Sequence, residues 1–192
     1  MWEQILEMPD PGEAAPHARA MWRYGRGRAL AATGDLEGAE AELAALRAAA
    51  EDPSLADLRL EFNRAQDVLS VGVHVLAGRI AAGRGNLDRA VTELREAARR
   101  EDALLYGEPP EWTVPVRHEL GEVLLAADRP AEAEAAFRAD LERFPANGWS
   151  LKGLELALRA QGRDEEADRV AREFEDAWAH ADVPIGEVFA AP

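Results

Sequence analysis

The stretch "AGRIAAGRGNLDRAVTEL", residues 77–94, decides the fold. Apolar residues on both sides of Gly85 recur at three- and four-residue spacing, the mark of amphipathic helices. Gly85 reaches the left-handed conformation without steric cost, so it suits the end of the first helix. Asp88, just after it, favours the positive N-terminal end of the next helix. Gly78 stands seven positions before the turn, and Ala90 and Leu94 stand five and nine positions after it. A glycine inside a helix costs ~1 kcal/mol relative to alanine, so keeping one points to a close backbone approach. The stretch reads as a helical hairpin whose two helices cross near Gly78.

Three more segments carry the pattern: "GDLEGA" from Gly34, "DRPAEA" from Asp128 and "GRDEEA" from Gly162. The alanines five positions on are Ala39, Ala133 and Ala167. Gly27 and Gly121 precede their turns by seven, and Glu155 breaks the series. Leu43, Phe137 and Ala171 follow their turns by nine. Small residue, turn, alanine and large apolar residue, in helix–turn–helix units, resemble the tetratricopeptide repeat (TPR). Asp128 and Gly162 lie 34 residues apart, which is that family's period. Pro145 also falls where the family ends its second helix.

The expected fold is therefore all-α, a right-handed superhelical array of about four TPR-like hairpins (an α-α solenoid) without a sheet. One domain, 1–192, would hold repeats near 16–52, 58–103, 115–145 and 149–180, an inserted loop at 104–114 and a tail at 181–192. Helices are predicted near 16–33, 36–51, 58–84, 87–103, 115–127, 130–143, 149–161 and 164–180. Residues 2–7 make a short amphipathic turn bearing Trp2, Ile5 and Leu6. It resembles the end of a helix whose partner is missing, so the chain is expected to be the C-terminal part of a longer array.

Two spacings break the period. Gly34 to Gly85 is 51 residues, and the excess around "AAAEDPSLADLRLEF" predicts lengthened helices with a kinked connection at Pro53. Gly85 to Asp128 is 43 residues, and the excess is "LLYGEPPEWTV". Pro109, Pro110 and Pro115 cannot continue a helix interior, although Pro115 fits the first turn of the next helix. The run Y-x-E-P-P-x-W-x-x-P-x-R-x-x-L-G from Tyr106 resembles an element of bacterial TPR proteins of unassigned function, followed there, as here, by Asn147-Gly148-Trp149. The insertion reads either as an aromatic ledge for a ligand or as a plug in which Tyr106 and Trp112 fill the gap it makes, with Arg117 paired to Glu108. Trp112 is expected between the second and third hairpins, with Tyr106, Pro109 and Pro110 beside the groove near Arg79 and His118.

Composition narrows the function. The 192 residues are 47% hydrophobic and 31% charged, enough for one packed domain. No apolar run approaches the ~18–20 residues of a membrane span, and "MWEQILEMPDP" lacks the pattern of a signal peptide. A cytoplasmic protein with no membrane partner is expected. There is no cysteine, hence no disulfide, thiolate metal site or cysteine nucleophile. The net charge of −15 repels phosphate, so no nucleic-acid partner is expected. Lys152 is the one lysine among 22 basic residues, and this arginine bias in an alanine-rich chain points to a GC-rich bacterial coding sequence.

The resemblance implies that first helices line a concave surface where peptides bind. In register, that face carries Tyr24 and Arg28, Val75 and Arg79, His118 and Glu122, then Lys152, Leu156 and Arg159, with Met21 and Trp149 at helix entrances. Its bases suit an acidic or carboxylate-bearing segment, unless they pair with acids on adjacent helices. Tyr24 and Val75 stand where the carboxylate-clamp pattern of related domains has lysine or asparagine, so that clamp is not reproduced. The partner-binding candidates are Tyr24, Arg28, Arg79, Tyr106, Trp112, Arg117, His118, Glu122, Trp149, Lys152 and Arg159. "HELGE", from His118, resembles half of a zinc-protease helix, with Glu122 in place of the second histidine. His17, His74 and His180 lie elsewhere without ligand spacing. No nucleophile elbow or phosphate-cradling loop occurs. The expected function is a non-enzymatic scaffold for a protein or peptide, without cofactor or metal. The alternative is a regulatory or metal-binding helical domain of a larger enzyme or sensor. Apolar ends, Trp2 and Ile5 at one and Ile185, Val188 and Phe189 at the other, predict homo-oligomerisation.

Overall fold

The computed structural model describes residues 2–181 and Ile185. Among these the chain forms α1 (Trp2–Leu6), α2 (Pro16–Ala32), α3 (Leu36–Ala50), α4 (Ala65–Gly83), α5 (Leu87–Asp102), α6 (Val116–Ala126), α7 (Pro130–Arg143), α8 (Gly148–Ala160) and α9 (Asp164–Trp178). A 3-10 turn, Pro53–Leu55, lies between α3 and α4. Among the described residues there is no strand, and the fold is the expected all-α one. The chain divides into two compact units, Met1–Val114 and Pro115–Pro192.

The hairpin turns are the sequence pattern made visible. Each links two helices through three residues, and the middle residue has positive φ: Gly34 at 89°, Gly85 at 73°, Asp128 at 55° and Gly162 at 71°. In each, the next N–H reaches back to the last turn of the first helix: Asp35 to Leu30, Asn86 to Ala81 and Arg129 to Leu124 at 2.9 Å, and Arg163 to Leu158 at 3.0 Å. This bond is the helix-end closure that a left-handed residue permits. Asp35 and Asn86 then cap the following helix through Gly38 N–H at 2.9 Å and Arg89 N–H at 3.2 Å.

The helix-interior glycines sit at the crossings. A Cβ on Gly78 would lie 2.8 Å from Leu94 Cγ, so the residues seven before and nine after the turn face each other. A Cβ on Gly121 would lie 2.5 Å from Phe137 Cε1, and one on Gly153 would strike the same ring. Gly27 differs: its approach is to Leu76 of α4, at 2.6 Å, and to Glu42 of α3. Glu155 is buried at its crossing position, and the residue nine after that turn is the small Ala171. The order of sizes is reversed there.

In the first unit α2 packs on α3 and α4 on α5, while α4 also meets both α2 and α3. The second unit repeats this, with α8 against α6, α7 and α9. First helix on first helix, and second helix on the next first helix, is the stacking order of TPR-like hairpins. Buried Leu43, Leu46, Leu69, Leu76 and Ile80 fill the first unit, with Leu55 closing it. Phe137, Leu124, Leu154 and Leu158 fill the second.

Several expectations are corrected. α4 begins at Ala65 rather than near 58, because Leu60 N–H bonds Asn63 O at 3.0 Å and Ala65 N–H bonds Leu58 O at 2.9 Å. These close a tight turn, with an isolated bridge between Arg59 and Arg64. α3 is not lengthened, but α4, at 19 residues, is longer than α8, at 13, so the first excess is shared between α4 and the 51–64 connection. α1 docks on α2, with Arg26 Nη1 donating to Leu6 O at 3.1 Å and Trp22 Nε1 to Met8 O at 3.0 Å. Trp2 and Ile5 are half-buried and Ile185 is buried, so these three are not the exposed ends expected. Val188 and Phe189 lie outside the described residues.

Candidate functional site

The two departures from the repeat period meet in the first unit. Asn63, at the end of the 58–64 turn, faces Leu105 as one peptide faces another in a ladder. Its Nδ2 donates to Leu105 O at 2.9 Å, and its Oδ1 accepts from Leu105 N–H at 2.7 Å. Glu111, from the Pro-Pro loop, caps the same turn by accepting from Phe62 N–H at 3.0 Å, from Asn63 N–H at 3.4 Å and from Asn63 Nδ2. Burial pushes the Glu111 carboxyl up, but these donors outweigh it and hold it below the usual carboxylate value. Asn63 is 6% exposed, so its four-way satisfaction matters energetically.

The insertion splits its two aromatics. Trp112 is buried at 6% exposure and meets Tyr24 edge-on, with ring centroids 5.2 Å apart. It also lies over Gly72, where a Cβ would be 3.5 Å from the indole. Trp112 therefore covers α2 and α4, the first helices of the first and second hairpins, where the sequence pointed to the second and third, and its burial fits a plug. Its indole N–H is buried without an acceptor among the described residues. Tyr24 accepts from Arg28 Nη1 at 3.0 Å, with that guanidinium 5.8 Å from the tyrosine ring. Arg79, on α4, is half-buried.

Tyr106 faces outward at 68% exposure, so the plug expected of both aromatics is made by Trp112 without it. Six large hydrophobic residues are exposed among those described: Met8, Leu58, Phe62, Leu105, Tyr106 and Val114. All but Met8 belong to the two aperiodic segments. Phe62 and Gly107 lie against each other across the junction, since a Cβ on Gly107 would be 3.4 Å from Phe62 Cδ2. The clamp thus presents apolar side chains on an ordered backbone.

The second unit holds a different tier. His118 of α6 stacks on Trp149 of α8, Trp149 meets Trp178 of α9 edge-on, and Phe174 stacks on Trp178, with centroids 6.1, 5.9 and 5.8 Å apart. Lys152 Nζ lies 5.7 Å from the Phe174 ring and donates to Glu155 at 2.8 Å. Arg159 bridges Glu155 at 3.0 Å and Asp168 at 2.9 Å. Burial raises the Glu155 carboxyl, and the two cations more than reverse it. These two bases serve the protein's own acids. Arg117, His118 and Glu122 are half-buried along α6. Among the described residues no three metal-capable side chains converge, and no helix is long and apolar enough to cross a membrane.

Sequence reasoning missed Phe62, Asn63 and Glu111. Their signal was the alternation of Leu58, Leu60 and Phe62, a two-residue period inside a stretch assigned to helix, followed by an asparagine of the kind that organises turns.

Comparison with known proteins adds little. No family model matches the chain, and no curated protein matches it. One solved structure, MamA AMB-1, is similar at 19% identity, with 91% of this chain and 98% of that chain covered and a TM-score of 0.34. A likeness that loose carries no argument, and the TPR-like character rests on the turns and helix pairing.

Proposed function

We propose that this chain is a non-catalytic scaffold that binds a protein partner, and that the partner docks on the clamped 58–64 and 104–114 segments. One observation carries the reading: among the described residues, five of the six exposed large hydrophobic side chains lie on the two segments that break the repeat. An ordered, exposed apolar surface of this kind is what interfaces use. The preference for an acidic or carboxylate-bearing ligand loses its support at Lys152 and Arg159, because Glu155 and Asp168 already hold them. Trp112, Tyr24 and Arg28 act behind the surface, fixing the insertion against α2 and α4.

Affinity capture from the source cells, with the chain and its Phe62→Ser/Tyr106→Ser variant as paired baits, tests the reading. A protein retained by the first bait and lost from the second is the expected result. Equal retention by both baits would overturn it.

A further inference from the structure

We infer that the clamped segments receive a basic peptide segment of a protein partner, one that presents large apolar anchors among lysines or arginines. This rests on the scaffold reading and names the chemistry of its partner. The anchors are called for by Phe62, Leu105 and Tyr106, which stand 46%, 62% and 68% exposed on backbone already ordered by Asn63 and Glu111. Because the receiving surface is pre-formed, little ordering cost falls on binding.

The charge is called for by what surrounds them. Residues 101–114 carry four acids and no base, and residues 51–64 carry four acids and two bases. Within these stretches Glu51, Asp57, Glu61, Asp102 and Glu108 are exposed, against Arg59 and Arg64. Arg59 is in part engaged at home, its Nη1 donating to Phe62 O at 3.1 Å. The −15 charge of the whole chain adds a field that draws cations and repels a second copy of the chain. Apolar contacts hold the ligand, and the acids steer it and set its sign.

The test uses three fluorescent probes on the full chain: an amphipathic Lys/Leu peptide, its Lys/Ser counterpart and a Glu/Leu counterpart. Anisotropy is read at about 50 mM and about 300 mM salt. The Lys/Leu peptide is expected to bind about tenfold more tightly than either counterpart. Phe62→Ser/Tyr106→Ser, which leaves the charge unchanged, is expected to weaken it about tenfold. Glu61→Lys/Glu108→Lys is expected to weaken it at low salt and much less at high salt. Unchanged binding of the Lys/Leu peptide to Phe62→Ser/Tyr106→Ser would mean diffuse charge attraction and overturn the inference. Tighter binding of the Glu/Leu peptide would overturn it while leaving the scaffold reading standing. Self-association of the free chain, abolished by Phe62→Ser/Tyr106→Ser in sedimentation, would assign the surface to a second copy and also overturn it.

Discussion

Replacing Trp112 by alanine should unfold the first unit far more readily than any change at the exposed aromatics. A large ring buries roughly 150–250 Å², and at about 25 cal/mol per Å² its removal forfeits roughly 4–6 kcal/mol as an upper bound. Trp112 is 6% exposed and closes on Tyr24 and Gly72, so partial collapse of the site leaves a loss of about 3–5 kcal/mol. In a chain of this size each kcal/mol moves the midpoint by roughly 2–4 °C, which gives a fall of about 6–20 °C. Trp112→Phe behaves differently, because it loses area but also removes a buried N–H that has no acceptor among the described residues. That orphan donor costs about 1–3 kcal/mol, so the phenylalanine variant should stay within about 1–2 kcal/mol of the parent. Calorimetry with urea titration measures both. A Trp112→Ala midpoint indistinguishable from the parent would refute the plug and return Trp112 to the role of ligand ledge.

The crossings give a second prediction. Gly121→Ala and Gly153→Ala each drive a methyl into the Phe137 ring and should cost about 1–3 kcal/mol by denaturation, with partial recovery when Phe137→Leu is added. Breaking the clamp gives a third. Asn63→Asp removes the donor to Leu105 O and sets a second carboxylate against Glu111, so hydrogen exchange at Leu105 and Phe62 should accelerate while α5 is unchanged. Glu111 supplies a pH dependence. Its folded pKa is depressed, so its stabilisation is full above the ordinary value of ~4.3 and is lost as pH falls through the folded value. The stability gap between the parent and Glu111→Gln should therefore close below about pH 4, and a gap that widens there would reverse the assignment.

The repeat was legible because its determinants are local. A left-handed residue, a helix-capping residue and a glycine at the crossing each act within a turn or two of sequence, and Gly34, Gly85, Asp128 and Gly162 all adopt the conformation their positions call for. The site was less legible because its determinants are distant in sequence. Asn63 and Glu111 are 48 residues apart, and neither belongs to a repeating position that would mark it. Leu58, Leu60 and Phe62 carried a strand-like alternation, but the helical pattern that follows at Ala65 absorbed them into α4. The basic stripe loses support at two of its four cations for a related reason. Lys152 and Arg159 read as a ligand surface until Glu155, three and four positions away on their own helix, is seen to take both. Tyr106 and Trp112 looked like a pair, yet the loop turns one outward and the other inward.

We propose the two aperiodic segments as the partner-binding surface. A photo-crosslinking residue in place of Tyr106, and separately in place of the exposed Ala131 on α7, tests it in the source cells. One discrete crosslinked protein from position 106 and none from 131 is the expected result. Crosslinking from 131 with none from 106 would contradict it.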